Sequence, residues 1–166
     1  MLYDSNKKVN NSVLLINNDI VRILSAIDRN QKIKKLIIDG SSNPLDVSNP
    51  DIGKSLIDSQ IIRIPVFGYN EEQGTVVSVT LASATGGFES GSLAPLIAVE
   101  VFTPLNQWLI NSGLRPLMVV HEIINEVEFR LLQTGGVKYR MLSLNEAHLS
   151  DKYSGFRIIF AAEVDA

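Results

Sequence analysis

RPLMVVHEIINEVEFRLL, running from Arg115 to Leu132, decides how the rest of the chain is read. Pro116 stands where a helix opens, because the first turn has no use for the N–H that proline lacks. From there Leu117, Val120, Ile124, Val127 and Leu131 recur at steps of three and four, one apolar stripe along a helix over residues 116–132. Gly135-Gly136 ends it, since glycine adopts the left-handed conformation of a helix C-terminus without strain. His121 falls at the flank of the stripe, sharing a hydrogen bond there, and Glu122 and Glu126 point away toward solvent or a partner. The pairs Glu122/Glu126 and Glu126/Glu128 read as a solvated face, lacking the burial that would tune a carboxylate for acid–base work. Met118 and Phe129 lie about 20° apart on the wheel, beside Glu122 and away from the stripe. A helix with apolar groups on that side is covered twice, either by its own chain or by a subunit contact.

The centre of the stretch, His121-Glu122-Ile123-Ile124-Asn125, is one residue away from the H-E-x-x-H helix of zinc proteases. That chemistry needs two imidazoles one turn apart, a third ligand and a water-activating glutamate. Asparagine is a poor zinc ligand, and the other histidine, His148, falls in an expected loop. The near-match is a coincidence, and no catalytic, metal or cofactor residue is assigned. The chain has no cysteine, which excludes disulfides, thiolate catalysis and Cys-based zinc sites. The glycines from Gly86 to Gly91 do not open a helix, so they read as a hairpin tip rather than a phosphate loop. There is no G-x-S-x-G elbow either.

Outward toward the N-terminus, residues 1–12 are polar and Asn/Lys-rich, and residues 1–17 form an arm ahead of one domain over 18–166. Asn17-Asn18-Asp19 reads as an N-cap cluster before Ile20, Ile23, Leu24 and Ile27, a helix over 18–29. Residues 32–39 fit a short strand or a continued helix equally. Two Asn-Pro steps make 40–59 a long loop, with one helical turn at 53–57. Residues 60–67 and 75–82 look like an antiparallel hairpin. A polar insert over 83–92 leads into a half-buried strand over 95–102, where Ile97, Val99 and Val101 alternate with Ala98 and Glu100. Two further strands, 137–144 and 156–164, follow the helix. The fold class is therefore α+β: a mostly antiparallel sheet of about four to five strands packed against one long helix and an N-terminal helix, with long loops.

At 166 residues, 45% hydrophobic and 20% charged, the chain is long enough for one domain with a real core. A net charge of −3 and a pI near 5.4 give no basis for binding nucleic acid by neutralising phosphates. No apolar run approaches the ~18 residues needed to span a bilayer, so no membrane role is expected and the chain is expected in the cytoplasm where it is made.

Leu96-Ile97-Ala98-Val99-Glu100-Val101-Phe102-Thr103-Pro104 is a strand, Trp108 lies in the loop after it, and the long helix opens on Arg115-Pro116. A hairpin carrying Asp151-Lys152-Tyr153-Ser154-Gly155-Phe156-Arg157-Ile158-Ile159-Phe160 follows. This succession resembles the tail-terminator (tail-completion) and neck proteins of tailed bacteriophages. The likeness covers element order over 18–164 and local sequence over 96–160; the loops at 40–59 and 83–92 are longer than in a minimal member. The resemblance implies a structural virion protein, made in the host cytoplasm and placed in the tail or neck. It implies a homohexameric ring that caps the tail tube and joins it to the head connector. Its partners would be further copies of itself, the tail tube protein and the head–tail connector protein, with DNA passing through the lumen without specific binding. Candidate assembly residues are Met118, Glu122 and Phe129 on the second helix face, Asn43 and Asp51 in one loop, and Gly86 and Gly91 in the other, with the 1–12 arm reaching a neighbour. The alternatives are another structural phage component (head-completion, stopper or baseplate) or a small hydrolase using His121, Glu122 and His148.

Overall fold

Ile23, Leu24 and Ile27, then Ile33, Leu36 and Ile37, are buried at helical spacing, and they form the helical side of the core. The computed structural model describes residues 5–46, 48, 53–64, 74–86, 93–130 and 137–163, and the statements that follow concern those residues. The first helix, α1 (Ser5–Arg29), starts inside the expected arm rather than at residue 18. Its register explains why: Val9, Val13, Ile16 and Ile20 continue the same spacing upstream. Asn17-Asn18-Asp19 therefore sits mid-helix, and buried Asp19 accepts a hydrogen bond from the Tyr139 hydroxyl at 2.9 Å and pairs with Arg22.

Asn30 separates α1 from α2 (Gln31–Ile38), which settles 32–38 as helix, with Asp39 its extended C-cap. Its backbone is extended, and its Oδ1 accepts from the N–H groups of Lys32 (2.9 Å) and Ile33 (3.1 Å), the orphan donors of a new helix.

Strands β1 (Ile61–Ile62), β2 (Val76–Gly86) and β3 (Leu93–Pro104) come next, then the short β4 (Leu109–Ile110) and β5 (Gly113–Leu114). Gly113, at φ 134°, turns between the last two in a conformation that suits glycine alone. After α3 (Arg115–Ile124) come β6 (Lys138–Ser150) and β7 (Tyr153–Glu163). The main sheet runs β1-β2-β3-β7-β6. All its pairs are antiparallel except β1 with β2. Val77, Val79, Ile97, Val99, Val101, Ile158 and Phe160 point from one sheet face into the helical layer.

Three sequence expectations change here. Residues 60–62 do not form an antiparallel hairpin with β2; a turn at Asp58 (φ 65°), held by Arg63 and by the Asp58 N–H on Ile61 O, sends β1 parallel to β2. The 83–92 insert is partly strand, since β2 reaches Gly86 and β3 begins at Leu93. His148 lies in β6 rather than in a loop, because the β6–β7 hairpin closes tightly at Asp151-Lys152. Gly155 lets that hairpin dock on β3: a Cβ there would stand 1.7 Å from the Val101 carbonyl oxygen.

Candidate assembly surface

The two ends of the decisive stretch are built differently. Arg115 is wholly buried. Its Nε donates to Gln107 O at 2.8 Å, Nη1 to Leu36 O at 2.8 Å and to Asp39 O, and Nη2 to Ser41 O. Two of these carbonyls close the C-terminus of α2, where a cation is favoured by the helix dipole. Burial pushes the guanidinium pKa down, against the attraction of Asp39. The Asp39 carboxyl is itself held below its usual range by hydrogen bonds from the Ser41 backbone and hydroxyl. So anchored, the chain continues to exposed Asn43, which bonds Asp46 Oδ2 at 2.7 Å, and Asn111 N–H reaches Ser42 O at 2.7 Å.

At the other end α3 passes into a π-helical turn, Asn125–Arg130. Glu122 and Glu126, expected on a solvated face, are instead 9% and 7% exposed. The reason is α2, which packs over that side while the sheet takes the other. Asn30 Nδ2 donates to Glu126 Oε1 at 2.7 Å, and Arg130 pairs with the same carboxylate. Lys32 Nζ approaches Glu122 Oε1 at 3.4 Å. Arg29, Lys32, Glu126 and Arg130 help line an open pocket of about 470 Å³ there. The buried stripe is rotated accordingly: Val119, Val120, Ile123 and Val127 are buried, Ile124 is half-buried and Leu117 is exposed.

The π-turn also parts Met118 from Phe129. Its i→i+5 bonding advances each residue by less than an α-helix would, so Phe129 lags behind the line drawn from Met118. Met118 packs half-buried against the core, its Sδ accepting from Ser112 Oγ at 3.1 Å. Phe129 stands 60% exposed. Next to it, Glu128 accepts the backbone N–H of Met141 at 2.6 Å, which sets the turn against β6. Exposed Val137, Met141 and Leu142 lie within a few residues of that contact, and α1 exposes Val13, Leu14 and Leu15 in succession.

His121 is exposed and shares a 3.1 Å hydrogen bond with Asn125, as its flank position implied. His148 Nδ1 bonds Ser154 Oγ at 2.7 Å. His121 and Glu122 thus face different surroundings, and no group of three His, Cys, Asp or Glu that could hold a metal occurs among the described residues. Of the other candidates, Gly86 ends β2, while Asp51, Gly91 and Gly135-Gly136 lie outside the described residues. Among the described residues no helix is long and apolar enough to cross a membrane. Sequence reading missed Arg115 and Asn30, whose partners are far away in the chain.

Comparison with protein families matches residues 30–162, from the cap of α2 into β7, to YomW. The chain belongs to the YomW family. That family is phage-related. No curated protein matches the chain, and neither does any solved structure. The matched span of this YomW-family chain takes in α2, the sheet and α3, and leaves α1 outside.

Proposed function

We propose that this phage-related chain is a structural virion subunit, a tail terminator or neck protein that closes into a homohexameric ring, caps the tail tube and joins it to the head connector. The observation that carries this reading is the exposed apolar surface at Phe129 and at Val13, Leu14 and Leu15, which a single copy leaves in water. The α+β fold and the phage-related family agree with it. Its partners are further copies of itself, the tail tube protein and the head–tail connector, and no catalytic residue enters the role. A ring multiplies the net charge of −3 per chain, and an acidic lumen lets duplex DNA slide by like-charge repulsion.

Native mass by light scattering over a concentration series, with negative-stain images, tests this on the full chain. The expected species is a ring of six subunits. Deleting residues 1–12 weakens its assembly while the far-ultraviolet circular dichroism of the rest is kept. A chain that stays monomeric at every concentration and does not bind purified tail tubes overturns the reading. Salt-sensitive retention of duplex DNA by the ring overturns the repulsive lumen, and binding to head-side partners alone reassigns the chain to head completion.

A further inference from the structure

The main sheet has two open edges among the described residues. Strand β1 covers only the Val77 and Ser78 positions of β2, and no strand among the described residues pairs with the outer side of β6. Opposed residues in an antiparallel ladder alternate between pairs that exchange both hydrogen bonds and pairs whose N–H and C=O groups point away. On β2, Val77 belongs to the outward set, because its N–H bonds Gln60 O on the β1 side at 2.8 Å. So does Ala84, whose opposite residue, Pro95, has no N–H to exchange. On β6 the outward Met141 N–H is taken by Glu128. Counting past the bulge at Met141/Ser143 places Leu144 and Glu146, opposite Ile158 and Phe156, in the outward set.

Strand edges that stay unpaired in solution are blunted by charges, prolines or covering groups. Glu128 covers one end of β6 and β1 covers one end of β2. The remainder is left bare: TLASATG (80–86) on β2 has no charge and no proline, and SLNEAHLS (143–150) on β6 has one carboxylate and no proline. Leu81 on the first strand and Leu142 and Leu144 at the second are exposed apolar flanks.

We propose that these two edges join copies of this chain head to tail, residues 80–86 of one copy pairing antiparallel with residues 143–150 of the next. This rests on the ring reading above and names its joint. Three features of the fold select a second copy as occupant. The strands β2, β3, β7 and β6 alternate in direction, so β6 of one copy meets β2 of a rotated copy antiparallel without inverting either. The two bare edges are of similar length and lie at opposite ends of the same sheet, so the contact is heterologous and propagates around a closed ring.

The third feature is the offset. Ser83 is level with Leu96, Ala161 and Arg140, so residues 143–150 begin lower on β6 than the bare part of β2 does. Joining the bare stretches shifts successive copies by about six residues, roughly 20 Å, across four strands spanning roughly 19 Å. Such a shift tilts the strands by about 45°, at the steep end of what closed barrels adopt.

Proline tests the joint, because it removes an N–H and is tolerated where that N–H faces outward. Native mass is measured for the full chain carrying Glu146→Pro, Ala84→Pro or Glu146→Ala, with circular dichroism and melting curves to establish that each folds. Each proline variant is expected to be a folded monomer, while Glu146→Ala, which keeps the N–H, still assembles. Mixed one to one, the two proline variants are expected to stop at a heterodimer, each contributing its intact edge. Assembly that survives both prolines overturns the joint and leaves the ring reading standing. Loss with Glu146→Pro but not with Ala84→Pro overturns it in favour of β6 pairing with β6. A wild-type chain that is monomeric at every concentration and does not bind purified tail tubes overturns ring and joint together.

Discussion

The two ends of the stretch from Arg115 to Arg130 solve the same problem, a charged group under a layer of protein, in opposite ways. Arg115 is closed off completely: four carbonyls take its donors and no part of it meets water. Glu126 is buried too, but it leans on Arg130, whose side chain is largely in solvent, and an exposed phenylalanine stands beside it. The first end fixes the fold, and the second leaves material for a neighbour. One helix thus carries stability at its start and an unfinished surface at its finish.

Arg115→Met is the severest way to break this contrast. It strands the carbonyls of Leu36, Asp39, Ser41 and Gln107 in a dry site, and the expected loss is about 4 kcal/mol. That is a large share of a domain's total stability, so urea unfolding reads it directly. A loss below about 1 kcal/mol would mean that water satisfies those carbonyls instead. At the other end, Glu126→Ala leaves Asn30 Nδ2 unpaired beneath the α1–α2 junction and is expected to cost about 2 kcal/mol in the same assay, with Glu126→Gln costing less. An equal loss for Gln and Ala would assign the stabilisation to the charge pair with Arg130 rather than to the acceptor that Asn30 needs. Phe129→Ser has the smallest effect on the isolated fold, within about 0.5 kcal/mol, because the ring is already in water. Its expected consequence is a shift of assembly to higher protein concentration by sedimentation velocity. A substantial loss of stability without that shift would make Phe129 part of the fold.

Much of the architecture was legible in the chain. The α+β class, the helix opening at Pro116 and the strand alternation through Ile97, Val99 and Val101 follow from spacing, whereas the longest helix is α1 and not the one after Pro116. What escaped depends on distant partners. Glu126 looked solvated because periodicity cannot see Asn30, 96 residues earlier, reaching it from the junction of two helices. Arg115 looked like a helix opener because its acceptors are backbone carbonyls, and every residue carries one. The parallel β1 was hidden for a related reason: two isoleucines cannot declare a direction, which comes from a left-handed Asp58. Of the assembly candidates, Phe129 is exposed as an interface residue would be, whereas Met118 and Glu122 are largely occupied within the fold.

The π-turn has a consequence for heredity as well as for mechanics. A wide turn accommodates one residue more than the helix around it, so its phase is written in the length of the gene rather than in any one side chain. Removing a single codon between positions 125 and 130 would restore the α pitch and leave Arg115 where it is. Phe129 would then stand ten residues after Met118 instead of eleven, about 80° off its line at ~100° per residue, and Glu128 would turn away from the Met141 amide. In one deletion the chain would redirect its outward aromatic and uncover the guarded end of β6, without altering a buried apolar residue of the sheet. Relatives of unequal length in this turn would therefore differ in whom they join before they differ in how they fold.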